Sequence, residues 1–273
     1  MGWESIVLLL TSGVLVITSF IAIKSNIKSQ SNKYLGSFAF FTSLWCAGIA
    51  MFIFAEKSSY KAIFLQVYYL APIGIAVSNL AFAIEQYRVI LGKRLKNAKT
   101  MLTVSVAASS LLALRLITDS KFIANRISSS SVVDLDVIGY SIYSAIFLSV
   151  FATSIAIVVR LMVSRQGKQS PGFYLYARTL IIASIVGVTF NLLLPILGNY
   201  GLIWVGPLFS LALPLSIIYG IVNYRAFEIR TSVFRAVGYS LSIFTLVTIY
   251  SIIIYGAILP TISPGTKFHI STL

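Results

Sequence analysis

The sequence predicts an all-α integral membrane protein, a bundle of about eight transmembrane helices with its N-terminus outside. Three observations predict this fold. Hydrophobic residues make up 58% of the 273-residue chain and charged residues only 10%, a balance unlike that of a water-soluble domain. The apolar residues gather into eight stretches with almost no charge. Each is roughly 20 residues long, which is what a helix rising 1.5 Å per residue needs to cross a hydrocarbon core of about 30 Å. Finally, the charges sort onto alternate connecting segments.

The first stretch, 5–23, contains an unbroken apolar run at 6–10 and lacks the in-out alternation of a barrel strand. Its first charge is Glu4, and Ile23 runs directly into Lys24. A cleavable signal peptide would begin with basic residues and end at a small-residue site, so this span is expected to stay in the mature protein. The second stretch, 34–55, carries the sole cysteine, Cys46, at mid-span, where it has no partner for a disulfide within the chain. The third, 62–84, holds Pro72 and the polar residues Gln66, Tyr68, Tyr69 and Asn79. The fourth, 100–118, ends near Arg115, whose long side chain can reach the interface.

A hydrophilic segment, 119–136, with a serine run at 128–131, then follows. It is expected to lie over the outer mouth as a short flap. The fifth stretch is 137–159, and Arg160–Arg178 forms the longest hydrophilic segment on the inner side. The sixth, 179–197, contains Asn191 and Pro195, and the four residues 198–201 turn into the seventh, 202–222, with Pro207 and Pro214. Connections this short require antiparallel, adjacent helices. The eighth stretch, 236–259, is followed by a tail, 260–273. The domain reading is a seven-helix region at 1–230 and an extra helix with a short tail at 231–273.

Orientation follows from the charges. Segments after the odd-numbered spans hold 15 of the 21 basic residues and only Glu85 and Glu228 among the acids. The other side has six basic and five acidic residues. The net charge of +14 therefore divides into +13 and +1, and the Lys/Arg-rich side is the cytoplasmic one. A pI near 9.9 does not point to nucleic acid, because these charges are spread over four short loops. Their natural partner is the anionic inner leaflet, at about 1 kcal/mol per basic residue near the surface.

The sequence is poor in reactive groups. The one histidine is His269, in the tail, and no metal-ligand cluster, phosphate loop or pair of intramembrane carboxylates is present. A retinal-type receptor needs a lysine inside a late span, and none of the eight stretches contains a lysine. No cofactor is expected and nothing argues for catalysis. Asn79 and Asn191 each read as a hydrogen-bonding link between helices or as a ligand contact. Pro72, Pro195, Pro207 and Pro214 free backbone carbonyls and kink their helices. Such kinks either are static or open a cavity in the outer half of the bundle for a small or lipid-like ligand. Glu85 with Arg88, and Arg115 with Asp119, have the spacing of pairs on one helix face. Trp3, Trp45 and Trp204, with Tyr34, Tyr140, Tyr174, Tyr200 and Tyr224, read as an aromatic belt at the span ends.

From residue 174 onward the chain carries a series of motifs in order. Arg178 precedes the sixth span, which leaves through Asn191-Leu-Leu-Leu-Pro195. Gly206 and Pro207 follow, then Tyr224-Arg225 and Phe227-Glu228-Ile229-Arg230. In order, spacing and sidedness this resembles the N-terminal seven-transmembrane sensor region of bacterial histidine kinases, with the motif part covering about 60 residues. The resemblance implies a two-component signal-transducing module in the bacterial inner membrane. It implies coupling at the cytoplasmic ends through Arg178, Tyr224, Arg225, Phe227, Glu228 and Arg230. It also implies a homodimer or a histidine kinase as partner. Neither an acceptor histidine on a dimerisation helix nor an ATP-binding domain is present in the sequence, so the chain as given is not a kinase. It is expected to be the front part of a longer sensor kinase, or a stand-alone sensor acting on a separate one. A small permease or lipid-handling protein is the alternative.

Overall fold

The computed structural model describes residues 3–119, 121–127, 133–198 and 200–210, together with 212, 213 and 216. Six helices are long and apolar enough to cross a membrane. They are α1 (Trp3–Ser25), α2 (Gln30–Phe54), α3 (Ser58–Leu91), α4 (Ala98–Thr118), α5 (Val137–Val163) and a sixth that begins as α7 (Pro171–Val188). A single-turn helix, α6 (Arg165–Lys168), separates α5 from α7. The sixth span continues through a π-helix (Thr189–Leu193) into α8 (Leu194–Ile196), and α9 (Val205–Phe209) opens the predicted seventh. The rest of that span and the whole eighth lie outside the described residues.

Local chemistry sets the helix ends. Ser29 caps α2 by accepting from the Asn32 amide at 3.4 Å, and Asp136 caps α5 by accepting from the Gly139 amide at 2.6 Å. Pro171, which has no amide hydrogen to leave unpaired, opens α7. Gly92, at φ +63°, ends α3 in the left-handed region where a side chain would be strained. Two sequence expectations of loop are corrected. Arg160–Arg178 is mostly helix, because α5 runs on to Val163 and α7 starts at Pro171. Lys61, assigned to a loop, belongs to the first turn of α3, where it is buried with its ammonium 5.9 Å from the Phe52 ring centroid.

Side-chain pairings fix the helix directions. Ser12 meets Ser43 and Ser19 meets the Gly36 carbonyl, so α1 and α2 are antiparallel. Gln86 meets Ser31, whereas Lys61 lies over Phe52, which makes α3 antiparallel to α2. Gln66 donates to the Leu116 carbonyl at the far end of α4. Tyr69 packs on Tyr140 and Asn79 bonds Ser154, so α3 and α5 are parallel. Connecting segments thus fall at alternate ends, as the charge pattern predicts. Helix α3 is the centre of the bundle, with 72% of its most apolar window buried against 17% for α4. Apolar residues of α4 such as Leu111, Leu114 and Ile117 are exposed, which gives this helix an apolar outer face.

The all-α reading needs one amendment. Within the predicted flap, β1 (Ala124–Ile127) and β2 (Val133–Leu135) pair antiparallel, with Arg126 opposite Asp134. Opposite charges on facing positions favour that register. Ile123, Ala124 and Val133 are buried, and the Ile123 carbonyl accepts from the Asp136 amide at 2.8 Å. The hairpin is therefore anchored to the start of α5. Gly139 permits this anchor, because a Cβ there would collide with the Phe122 carbonyl.

Candidate functional site

The site begins with a defect in the sixth span. Pro195 has no amide hydrogen, so the carbonyl of Asn191 loses its donor four residues on. Here the helix widens into the π-turn Thr189–Leu193, a local form that recurs at functional positions. Two tyrosine hydroxyls from neighbouring helices serve the loosened carbonyls. Tyr68 of α3 donates to the Asn191 carbonyl at 3.0 Å, and Tyr140 of α5 donates to the Leu192 carbonyl at 2.7 Å. Tyr68 is itself four residues before Pro72, so the carbonyl of the residue that clips one proline-bearing helix is freed by a proline in its own.

Around this break the tyrosines form a cluster. Tyr68 and Tyr69 have ring centroids 4.5 Å apart, and Tyr69 meets Tyr143 edge-on at 5.2 Å. Tyr143, Phe147 and Phe151 then descend α5 at four-residue spacing, their rings stacked with interplanar angles of 2° and 12°. Tyr200 closes the cluster from the turn before α9, and burial pushes its hydroxyl above the usual range. Below the cluster lies a cavity of about 80 Å³. Helix α2 contributes Phe38, Thr42 and Trp45 to its wall, α3 contributes Tyr68, Tyr69, Pro72 and Ile75, and α5 contributes the ring ladder. The sixth span presents Leu180, Ser184, Gly187 and Asn191, and Gly206 and Ser210 complete the lining. Among the described residues no charged one lines it.

Among the described residues, three polar groups on this wall have no hydrogen-bond partner: the hydroxyl of Tyr69, the indole N–H of Trp45 and the side-chain amide nitrogen of Asn191, on residues only 2%, 9% and 7% exposed. The amide oxygen of Asn191 is engaged, 3.4 Å from the Tyr68 hydroxyl. The nitrogen fits against Gly206, where a Cβ would strike it. Trp45 rests its ring 3.7 Å from the Cβ position of Gly187, one turn below Asn191.

Pro72 and Asn191, both singled out from the sequence, line the cavity together. Pro195 is buried beneath the π-turn. Pro207 is buried in α9, where its carbonyl accepts from the Ser210 hydroxyl and, at 4.0 Å, from the Cys46 thiol. Asn79 is elsewhere: wholly buried, it donates to Ser154 of α5 at 2.6 Å and accepts from Tyr176 of α7 at 3.3 Å. It is a three-helix link. Arg178 is exposed on α7, within the helix rather than ahead of it. Pro214, Tyr224, Arg225, Phe227, Glu228 and Arg230 lie outside the described residues. The pairs Arg88–Glu85 and Arg115–Asp119 form at 2.5 and 3.0 Å.

Sequence reasoning missed Trp45, Tyr140 and Tyr143. The belt reading placed Trp45, Tyr140 and Tyr200 at the lipid interface, and the structure buries all three inside the bundle. Pro195 four residues after Asn191 was the available signal, since it marks which carbonyl needs an outside donor. Among the described residues no group of three or more His, Cys, Asp or Glu side chains comes together to hold a metal. The sequence matches no protein-family model and no curated protein.

Proposed function

We propose that this chain is a membrane-embedded signal-receiving module that acts on a histidine kinase from the bacterial inner membrane. What carries the reading is that one set of residues serves two structures. Tyr68, Asn191 and Leu192 hold the break in the sixth span and also line the cavity. An occupant therefore touches the same groups that decide how the broken helix packs. A ligand shifts an equilibrium only by its differential affinity for the two states. Two hydrogen bonds of about 1 kcal/mol each set a coupling of about 2 kcal/mol, within the usual range for linked sites. The sixth span would pass that bias to its other end, where Arg178 stands, and the seventh toward Tyr224–Arg230. The order of motifs from Arg178 to Arg230 and the absence of charge among the described residues that line the cavity agree with a receiver rather than an ion-coupled carrier.

The test is the Y68F/Y140F double variant in the native host, with protein-histidine phosphorylation followed across growth conditions. The expected result is a kinase whose phosphorylation no longer responds, at an unchanged level of the variant in the membrane. Unchanged phosphorylation, together with passage of a neutral solute through the purified protein in liposomes, would favour a permease instead.

A further inference from the structure

We infer that the cavity takes a neutral, mainly apolar molecule bearing a carbonyl oxygen, held by the indole N–H of Trp45 and the side-chain amide of Asn191. This names the ligand class of the site proposed above and rests on that reading for its role in signalling, though not for binding itself.

The apolar part follows from the wall, which is built from the rings of Phe38, Phe147 and Phe151 with Leu180 and Ile75. Neutrality follows from the absence of charge: among the described residues no Lys, Arg, Asp or Glu lines the cavity, and an ion stripped of water without a counter-charge is strongly disfavoured. The carbonyl follows from the groups left over, of which the Trp45 indole N–H and the Asn191 amide nitrogen are donors only, while the Tyr69 hydroxyl can donate or accept. An indole N–H is a donor only, and Trp45 has nothing to donate to although it is buried. Asn191 repeats the situation from the opposite helix, its carbonyl side engaged and its nitrogen unpaired. Buried donors in folded proteins nearly always have acceptors, so two on one wall mark where an acceptor belongs. The room, about 80 Å³, suits roughly five to eight water-sized groups at about 10–15 Å³ each. A short alkyl ketone fits within it, and so does the ester end of a lipid acyl chain.

The two sources are separated in one experiment. The full chain, labelled with ¹⁵N at its three indoles, is placed in nanodiscs of either ester-linked or ether-linked phospholipid, and the Trp45 signal is assigned with W45F. The probes are 2-heptanone and heptane. If the ligand is a free molecule, 2-heptanone moves the Trp45 N–H signal downfield with saturation and heptane does not. If it is a bilayer lipid, the signal is already downfield in ester lipid and moves upfield in ether lipid. Either result supports the inference, and N191L should then weaken ketone binding, or the ester-ether difference, by roughly tenfold. The Trp3 and Trp204 signals, from rings packed edge-on at 4.8 Å, report that the variant is folded. A Trp45 signal indifferent to ketone and to lipid linkage, or moved equally by ketone and alkane, overturns the inference. A ketone-dependent shift without any change in kinase phosphorylation would instead sink the sensor reading and leave the site standing.

Discussion

Asn79 and Asn191 sit on the same α3–α7 seam, and they do opposite things. At Asn79 both helices are continuous, and the amide is spent on Ser154 and Tyr176. At Asn191 the helix is broken by Pro195, its carbonyl is clipped from outside by Tyr68, and half of its amide is left over beside a cavity. The residue type and the burial are alike, so the difference comes from the backbone. A proline four residues downstream turns a structural link into an adjustable one. The level of Asn79 fixes the bundle, and the level of Asn191 has room to change.

This contrast can be broken by mutation. The largest effect is expected from Asn79→Leu, which removes the donor to Ser154 and the acceptor for Tyr176 and should cost about 2 kcal/mol, at the high end for interhelical bonds in membranes. Asn191→Leu should cost less than half of that, because Tyr68 keeps the backbone carbonyl. Unfolding in bicelles by titrated detergent compares the two directly, and equal losses would erase the distinction. Next comes the Y68F/Y140F pair, expected to cost roughly 1–2 kcal/mol and to speed hydrogen exchange of the amides around 189–196 while leaving those near Asn79 unaltered. Gly206→Ala follows, at about 1 kcal/mol. Its Cβ meets the tip of the Asn191 side chain, which can swing away, so the change should empty the site of ligand more than it unfolds the protein. The smallest effect belongs to Arg88→Ala. Its pair with Glu85 is half exposed on the Arg side, and solvent screening leaves such pairs little effect on stability.

The scaffold was legible and the site was only partly so. Helix number and direction through α7 follow from length, hydropathy and alternating charge, because lipid leaves backbone groups few ways to be satisfied. The hairpin around Arg126 and Asp134 was not legible, since strands of four and three residues carry almost no periodic signal. Pro72 and Asn191 stood out as rare residue types within apolar spans. Trp45 and Tyr140 did not, because an aromatic in a span reads equally well as an interfacial anchor or as a wall of an internal site. Only the tertiary fold separates the two, by placing Trp45 across from Gly187 and Tyr140 across from Leu192.

The central claim is that the sixth span has two packings, with Pro195 as the reason. Spin labels at Ile63→Cys and Ile196→Cys, in a Cys46→Ser background, place one probe near the start of α3 and one on α8, beyond the break, at exposed positions. Pulsed dipolar distance measurement in nanodiscs should then give two distances whose weights change on adding 2-heptanone. Pro195→Ala, which returns a donor to the Asn191 carbonyl, should leave one. A single distance in every sample, unaltered by ketone and by the proline substitution, would contradict the account.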